Sequence, residues 1–266
     1  MINHSRVNGD EYQKHHVFDE IGQMMDYYEG VSDTCYSFMP HGTRGIVNYA
    51  TYVFMSIERT LDSVRMLLKE GHITDAFVLI RKYFDTVLVE IYIDVVRKEK
   101  FDWVSEIVVK DVDDWICSTH RIPSMKKLLK ILKESASTRE LYPFFGWDSC
   151  LKHNRELLDN DVHVNRYNGL LMNCPDLVLD GRVNQLENAS IILKQVFTMH
   201  LAFIFYLNGH YMMASDYMDY MEMGLTPPKG CESWIAPYAQ DAFDVFIKPR
   251  TRLAEIIKKH CSLEIN

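Results

Sequence analysis

From Val53 the apolar residues Val53, Ile57, Leu61, Val64 and Leu68 recur at intervals of four, four, three and four, which lays a single stripe along an α-helix. Gly71-His72 ends that run. A second begins at about Thr74-Asp75, residues able to cap it, and extends to about Arg97. It carries Leu79, Tyr83, Val87 and Ile91 on one face with Ile80, Phe84 and Leu88 beside them. So wide an apolar surface has to pack on more than one neighbour, and so short a break folds the two helices into an antiparallel hairpin. Arg81 and Asp85 are placed to pair one turn apart, while Glu90, Asp94 and Arg97 lie on roughly the opposite side. One of these polar stripes is therefore expected to be partly buried, and a structural ion pair outweighs a catalytic one.

Elsewhere the punctuation is sparse: 12 Gly and 8 Pro in 266 residues suit long helices joined by short loops. Shorter amphipathic segments are predicted at about Trp103 to Ile116 and Ser124 to Lys133, and a loop from Cys174 to Gly181. Leu186, Ala189, Leu193, Val196, His200, Phe203 and Leu207 then alternate by three and four like a bundle seam, on which His200 reads first as a core histidine. Pro227-Pro228 interrupts the second half, and a last helix is expected from about Arg252 to His260. The predicted fold is mainly α, an antiparallel helical bundle with additional N- and C-terminal helices. Residues 1–42 form the N-terminal extension, 43–223 the bundle, and 224–266 a C-terminal helical segment packed on it.

The net charge of -8 offers no global positive field for nucleic acid or anionic lipid, so any RNA contact must be a local patch. Six separated cysteines contain no Cys-x-x-Cys pair, which fits reduced thiols better than a zinc ribbon. The N-terminus lacks the apolar core of a signal peptide. The most apolar run, Ile191 to Leu207, includes Lys194, Gln195 and His200 and reads as a buried helix, so a cytoplasmic location without membrane contact is expected.

One stretch concentrates chemistry: Asn154-Arg155-Glu156 through Asp159-Asn160-Asp161 to His163 and Asn165. On a continuous helix Arg155 and His163 would lie about 12 Å apart in rise and about 80° apart in azimuth, neighbours along a groove. RNA transesterification needs a group near neutral pKa to move the proton of the 2'-hydroxyl or of the leaving oxygen, which suits His163. It also needs a permanent cation for the phosphate, which suits Arg155. Asn154, Glu156 and Asn165 would support these two. Two other readings stand beside this one. Asp159, Asp161 and His163 could hold a divalent ion, or the acidic run could cap a turn with His163 bonded to backbone.

An arginine followed by an acidic residue and then a histidine, near two long antiparallel helices, resembles the HEPN superfamily (higher eukaryotes and prokaryotes nucleotide-binding). In its ribonucleases an arginine is usually followed by a polar residue, four to six further residues and a histidine. Here Glu156 takes the polar position and seven residues separate Arg155 from His163. The resemblance implies a homodimer whose two motifs form one cleft. It also implies RNA cleavage through the substrate's 2'-hydroxyl without metal or cofactor, and a bacterial toxin or phage-defence role. The contrasting expectation is a non-catalytic interaction module or regulatory subunit that docks a protein partner through the Met-rich surface from Tyr211 to Met223.

Overall fold

The computed structural model describes residues 6–38, 49–102, 109–145, 147 and 150–266. They form a mainly α protein, and no strand or sheet occurs among the described residues. The helices are α1 (Asp10–Gln13), α2 (Val17–Phe38), α3 (Tyr49–Lys69), α4 (Ile73–Lys100), α5 (Lys110–Ile116) and α6 (Met125–Glu134). They continue with α7 (Cys150–Val162), α8 (Tyr167–Met172), α9 (Arg182–Asn208), α10 (Asp216–Glu222), α11 (Pro237–Ala242) and α12 (Thr251–His260). Residues 103–108 of the segment expected from Trp103 lie outside the described residues.

Two compact units are built from interleaved stretches of chain. The first comprises the described residues of Met1–Asp26, Ser56–Val87 and Phe145–Phe197. Its hairpin closes on Gly71, whose φ of +82° is open to glycine at little cost. The Gly71 N–H bonds to Leu68 O (3.1 Å) and the His72 N–H to Leu67 O (2.8 Å), which satisfies the last carbonyls of α3. Lys82 reaches Thr60 (3.4 Å), a residue equally distant from Gly71 on the other arm, so the arms run antiparallel as predicted.

The cap of α4 differs from expectation. Asn173 Oδ1 accepts the N–H groups of Thr74 (2.9 Å) and Asp75 (3.4 Å), so a distant asparagine satisfies the donors that Thr74-Asp75 was expected to manage locally. Nearby, the fully buried Arg182 donates to the carbonyls of Met172 (3.0 Å) and Cys174 (2.6 Å), with Gly71 and Leu177 at 3.4 Å. It thereby fixes the loop predicted between Cys174 and Gly181.

The second unit comprises the described residues of Tyr27–Met55, Leu88–Phe144 and Thr198–Asn266. At its centre the Tyr28 hydroxyl hydrogen-bonds His200 Nδ1 (2.7 Å), and His200 Nε2 hydrogen-bonds Glu90 Oε2 (3.0 Å). Phe54 lies across the imidazole at 5.8 Å between ring centroids. Asp94 accepts from Tyr49 and Asn208, and Arg97 binds Asn208 Oδ1 (2.6 Å) while lying 3.4 Å from Asp94. The stripe of Glu90 and Asp94 is thus wholly buried. His200 is a core histidine with both ring nitrogens engaged.

By length and composition α9 with the turn after it could cross a membrane, yet 72% of its apolar window is buried inside the protein. Among the described residues Cys35, Cys117, Cys174, Cys231 and Cys261 are free.

Candidate functional site

Helix α7 is continuous from Cys150 to Val162, so Asp159-Asn160-Asp161 do not break it; Arg155 lies on it and His163 directly follows its last residue. Asn154 faces inward, and its amide donates to Gln195 Oε1 on α9. Arg155 is half-buried with its Nε 3.5 Å from Asp85 Oδ1. The same carboxylate pairs with Arg81, whose Nε also bonds to Asp159 (2.8 Å). Two arginines and two aspartates form one alternating network in which Arg81 is the most buried member. A carboxylate therefore orients the Arg155 guanidinium while leaving part of it accessible, an arrangement that can hold a second anion only in competition with Asp85.

His163 lies one residue beyond α7, and its backbone N–H still reaches Asp159 O (3.1 Å). The chain then turns through Val164 at a φ of +51°, and the Asn165 N–H closes on Asn160 O (2.9 Å). This is a helix terminus of the type that normally uses glycine, with a β-branched residue at its left-handed position. The imidazole of His163 is exposed and has no hydrogen bond or ion pair among the described residues. Exposed Arg166 and Tyr167, the latter 73% accessible, follow at once. Val162, Val164 and Leu170 add apolar side chains that are 40–59% exposed.

No hydrogen bond or ion pair joins Arg155 to His163 among the described residues. Glu156 is exposed beside Lys152 (3.8 Å), and Asn165 lies with its amide 3.4 Å from Asn160 Oδ1. Asp159 is committed to Arg81, and Asp159, Asp161 and His163 do not converge as a ligand set.

Asp161 instead opens on a cavity of about 250 Å³ walled by Phe77, Leu158 and Ile192 and rimmed by Arg166, Gln185 and Asn188. Burial raises the Asp161 carboxyl above its usual range, opposed by the Arg166 charge. This cavity is assembled from α4, α7, α8 and α9, so no local spacing announces it.

A second group unforeseen in the sequence brings His15, His16 and Glu187 within 4.8 Å of one another. Its chemistry argues against a cation. The Val17 N–H donates to His15 Nδ1 (3.2 Å), which leaves the proton of the neutral ring on Nε2, the nitrogen a metal would need and the one 3.6 Å from Glu187. Burial, and then the neighbouring His16, push the His15 pKa down and favour that neutral ring. Glu20 is likewise occupied by Ser190 (2.5 Å) and Lys194 (2.9 Å).

No family model matches the chain, and no curated protein or solved structure matches it either.

Proposed function

We propose that the protein is a HEPN-like, metal-independent endoribonuclease in which His163 transfers the proton and Arg155 holds the scissile phosphate. The observation that carries this reading is the exposed imidazole of His163, without a hydrogen bond or ion pair among the described residues and set on a strained turn beside Arg166 and Tyr167. An exposed imidazole can take or give a proton, the guanidinium supplies a backbone contact, and the tyrosine offers a face on which a base can stack.

In the reaction the 2'-oxygen bonds to phosphorus as the bond to the 5'-oxygen breaks. One imidazole takes the 2'-hydroxyl proton, and the departing 5'-oxygen receives a proton from a second. A homodimer supplies both, and the exposed apolar residues around His163 give a second copy a surface to cover. The products carry a 2',3'-cyclic phosphate and a 5'-hydroxyl. Analysis of RNA ends after digestion in excess EDTA tests this: 3'-hydroxyl and 5'-phosphate ends, or loss of cutting on chelation, refute it.

A second reading is favoured by a separate observation. Of the stretch from Tyr211 to Met223 expected to dock a partner, Tyr211 and Met212 are buried, while Met221 and Met223, with Leu225 just beyond, are 53–64% exposed, a surface suited to an interaction module. Under that reading Met221→Asp disperses an assembly measurable by light scattering, and His163→Ala changes nothing.

A further inference from the structure

We infer that the cavity beside α7 is a base pocket that takes one guanine of an RNA chain, read by the carboxylate of Asp161. The inference rests on the ribonuclease reading, for which it supplies sequence preference. Three observations carry it.

The first is size. At about 250 Å³ the cavity falls below the roughly 300 Å³ at which sites for drug-sized molecules begin, so it has room for a single ring system. Phe77, Leu158 and Ile192 give that ring apolar walls while polar groups stay at the rim, the usual construction of a site that excludes water and then orients its ligand.

The second is the state of Asp161. Its carboxylate lines the cavity half-buried and makes no hydrogen bond or ion pair among the described residues. A desolvated carboxylate without a partner is costly and calls for donors. Gly169 packs beside it, where a Cβ would stand 3.6 Å from Asp161 Oδ1 and 3.3 Å from Thr74 Cγ2.

The third is the match of donors. An ionised carboxylate only accepts, and it does so best from two parallel N–H groups. Among the RNA bases guanine alone presents two adjacent donors, N1–H and the 2-amino group, on its pairing edge. Adenine and cytosine set one amino group beside a bare ring nitrogen, and uracil sets its single N–H between two carbonyl oxygens that a carboxylate repels. The amides of Gln185 and Asn188 stand at the rim for the guanine O6 and N7 acceptors, and Arg166 for a flanking phosphate. Asp161 and Arg166 bracket His163 in sequence, so a base held between them brings its own phosphates toward the exposed imidazole.

The test uses the whole protein and equilibrium dialysis. Its probes are the four nucleoside 5'-monophosphates and two uncleavable 2'-O-methyl trinucleotides, U-G-U and U-A-U. The inference predicts that GMP binds about 10-fold to 100-fold more tightly than AMP, CMP or UMP. It predicts that U-G-U binds more tightly than GMP, and that Asp161→Asn abolishes the preference without lowering the melting temperature. Equal binding of the four monophosphates, or a preference that survives Asp161→Asn, overturns it. GMP binding tighter than U-G-U also overturns it by making a free nucleotide the ligand. A destabilised Asp161→Asn would be replaced by Asn188→Leu, which blocks the rim from an exposed position and carries the same expectation. Cleavage separates this inference from the reading beneath it. RNA cut without regard to guanine defeats the pocket alone, while selective GMP binding by a protein that cuts no RNA defeats the ribonuclease alone.

Discussion

His200 Nε2 lies 3.0 Å from Glu90 Oε2 with neither side chain accessible to water, and the two groups are displaced in opposite directions. Burial holds the imidazole down to about 3 and pushes the carboxyl up to about 7. Both therefore favour their neutral forms. Asp94, one turn along α4, is raised well above its usual range by burial and then by Glu90. A carboxyl whose folded pKa is raised contributes stability that is whole below its unfolded value and is lost as pH rises through the folded one. A histidine whose pKa is lowered contributes stability that is whole above 6.5 and is lost as pH falls toward 3. Glu90→Gln should thus match the parent near pH 4 and exceed it by on the order of 3 kcal/mol at pH 8. His200→Gln should erase part of the acid-side loss. Urea unfolding across pH 3 to 9 measures both, and parallel curves for parent and Glu90→Gln would contradict the account.

The arginines of the α7 network differ in what they sustain. Arg81 is nearly buried between Asp85 and Asp159, whereas Arg155 is 30% exposed at the longer contact of 3.5 Å. Arg81→Ala should cost about 1–3 kcal/mol, because it strands two half-buried carboxylates, and Arg155→Ala about 0–1 kcal/mol. Chemical denaturation of the two variants checks the order. Equal losses would mean that Arg155 is as structural as Arg81.

Val164 stores strain beside His163. Val164→Gly should relieve roughly 1 kcal/mol and raise the melting temperature by a few degrees, since glycine adopts a φ of +51° freely. If the turn positions the imidazole, the same change lowers RNA cleavage as it raises stability. Calorimetry and a cleavage assay on one preparation decide whether the two effects oppose each other.

Arg182 is fully buried, and its four acceptors are backbone carbonyls. Arg182→Met removes their donor and should cost more than about 3 kcal/mol, with the loss localised by hydrogen exchange to residues 171–181. Exchange that stays slow there would show the loop to be held by packing instead.

The helices were legible wherever one face repeats. The stripes of α3, α4 and α9 follow the 3.6-residue period, and α12 occupies the segment predicted for it. Helix α2 was foreseen only as part of an extension, although its buried Val17, Ile21, Met24, Tyr28, Val31 and Cys35 follow the same rhythm. The site was legible only as a list of residues. Nothing local to Arg155 reveals Asp85, seventy positions earlier, nor local to Asp161 the wall made by Ile192. Asn173 capping α4 and Val164 in a left-handed turn are likewise settled by residues far away or by the closing of a helix. A one-dimensional pattern does not record such relations.

The most direct test is digestion of RNA in excess EDTA by the parent, His163→Ala and Arg155→Ala, with melting temperatures taken alongside. The account predicts cutting by the parent despite chelation, a roughly 10²–10⁴-fold loss in His163→Ala and a roughly 10²–10³-fold loss in Arg155→Ala. Because His163 is exposed and has no hydrogen bond or ion pair among the described residues, its variant should melt with the parent. Cleavage undiminished in His163→Ala, or no cleavage by any of the three, would contradict it.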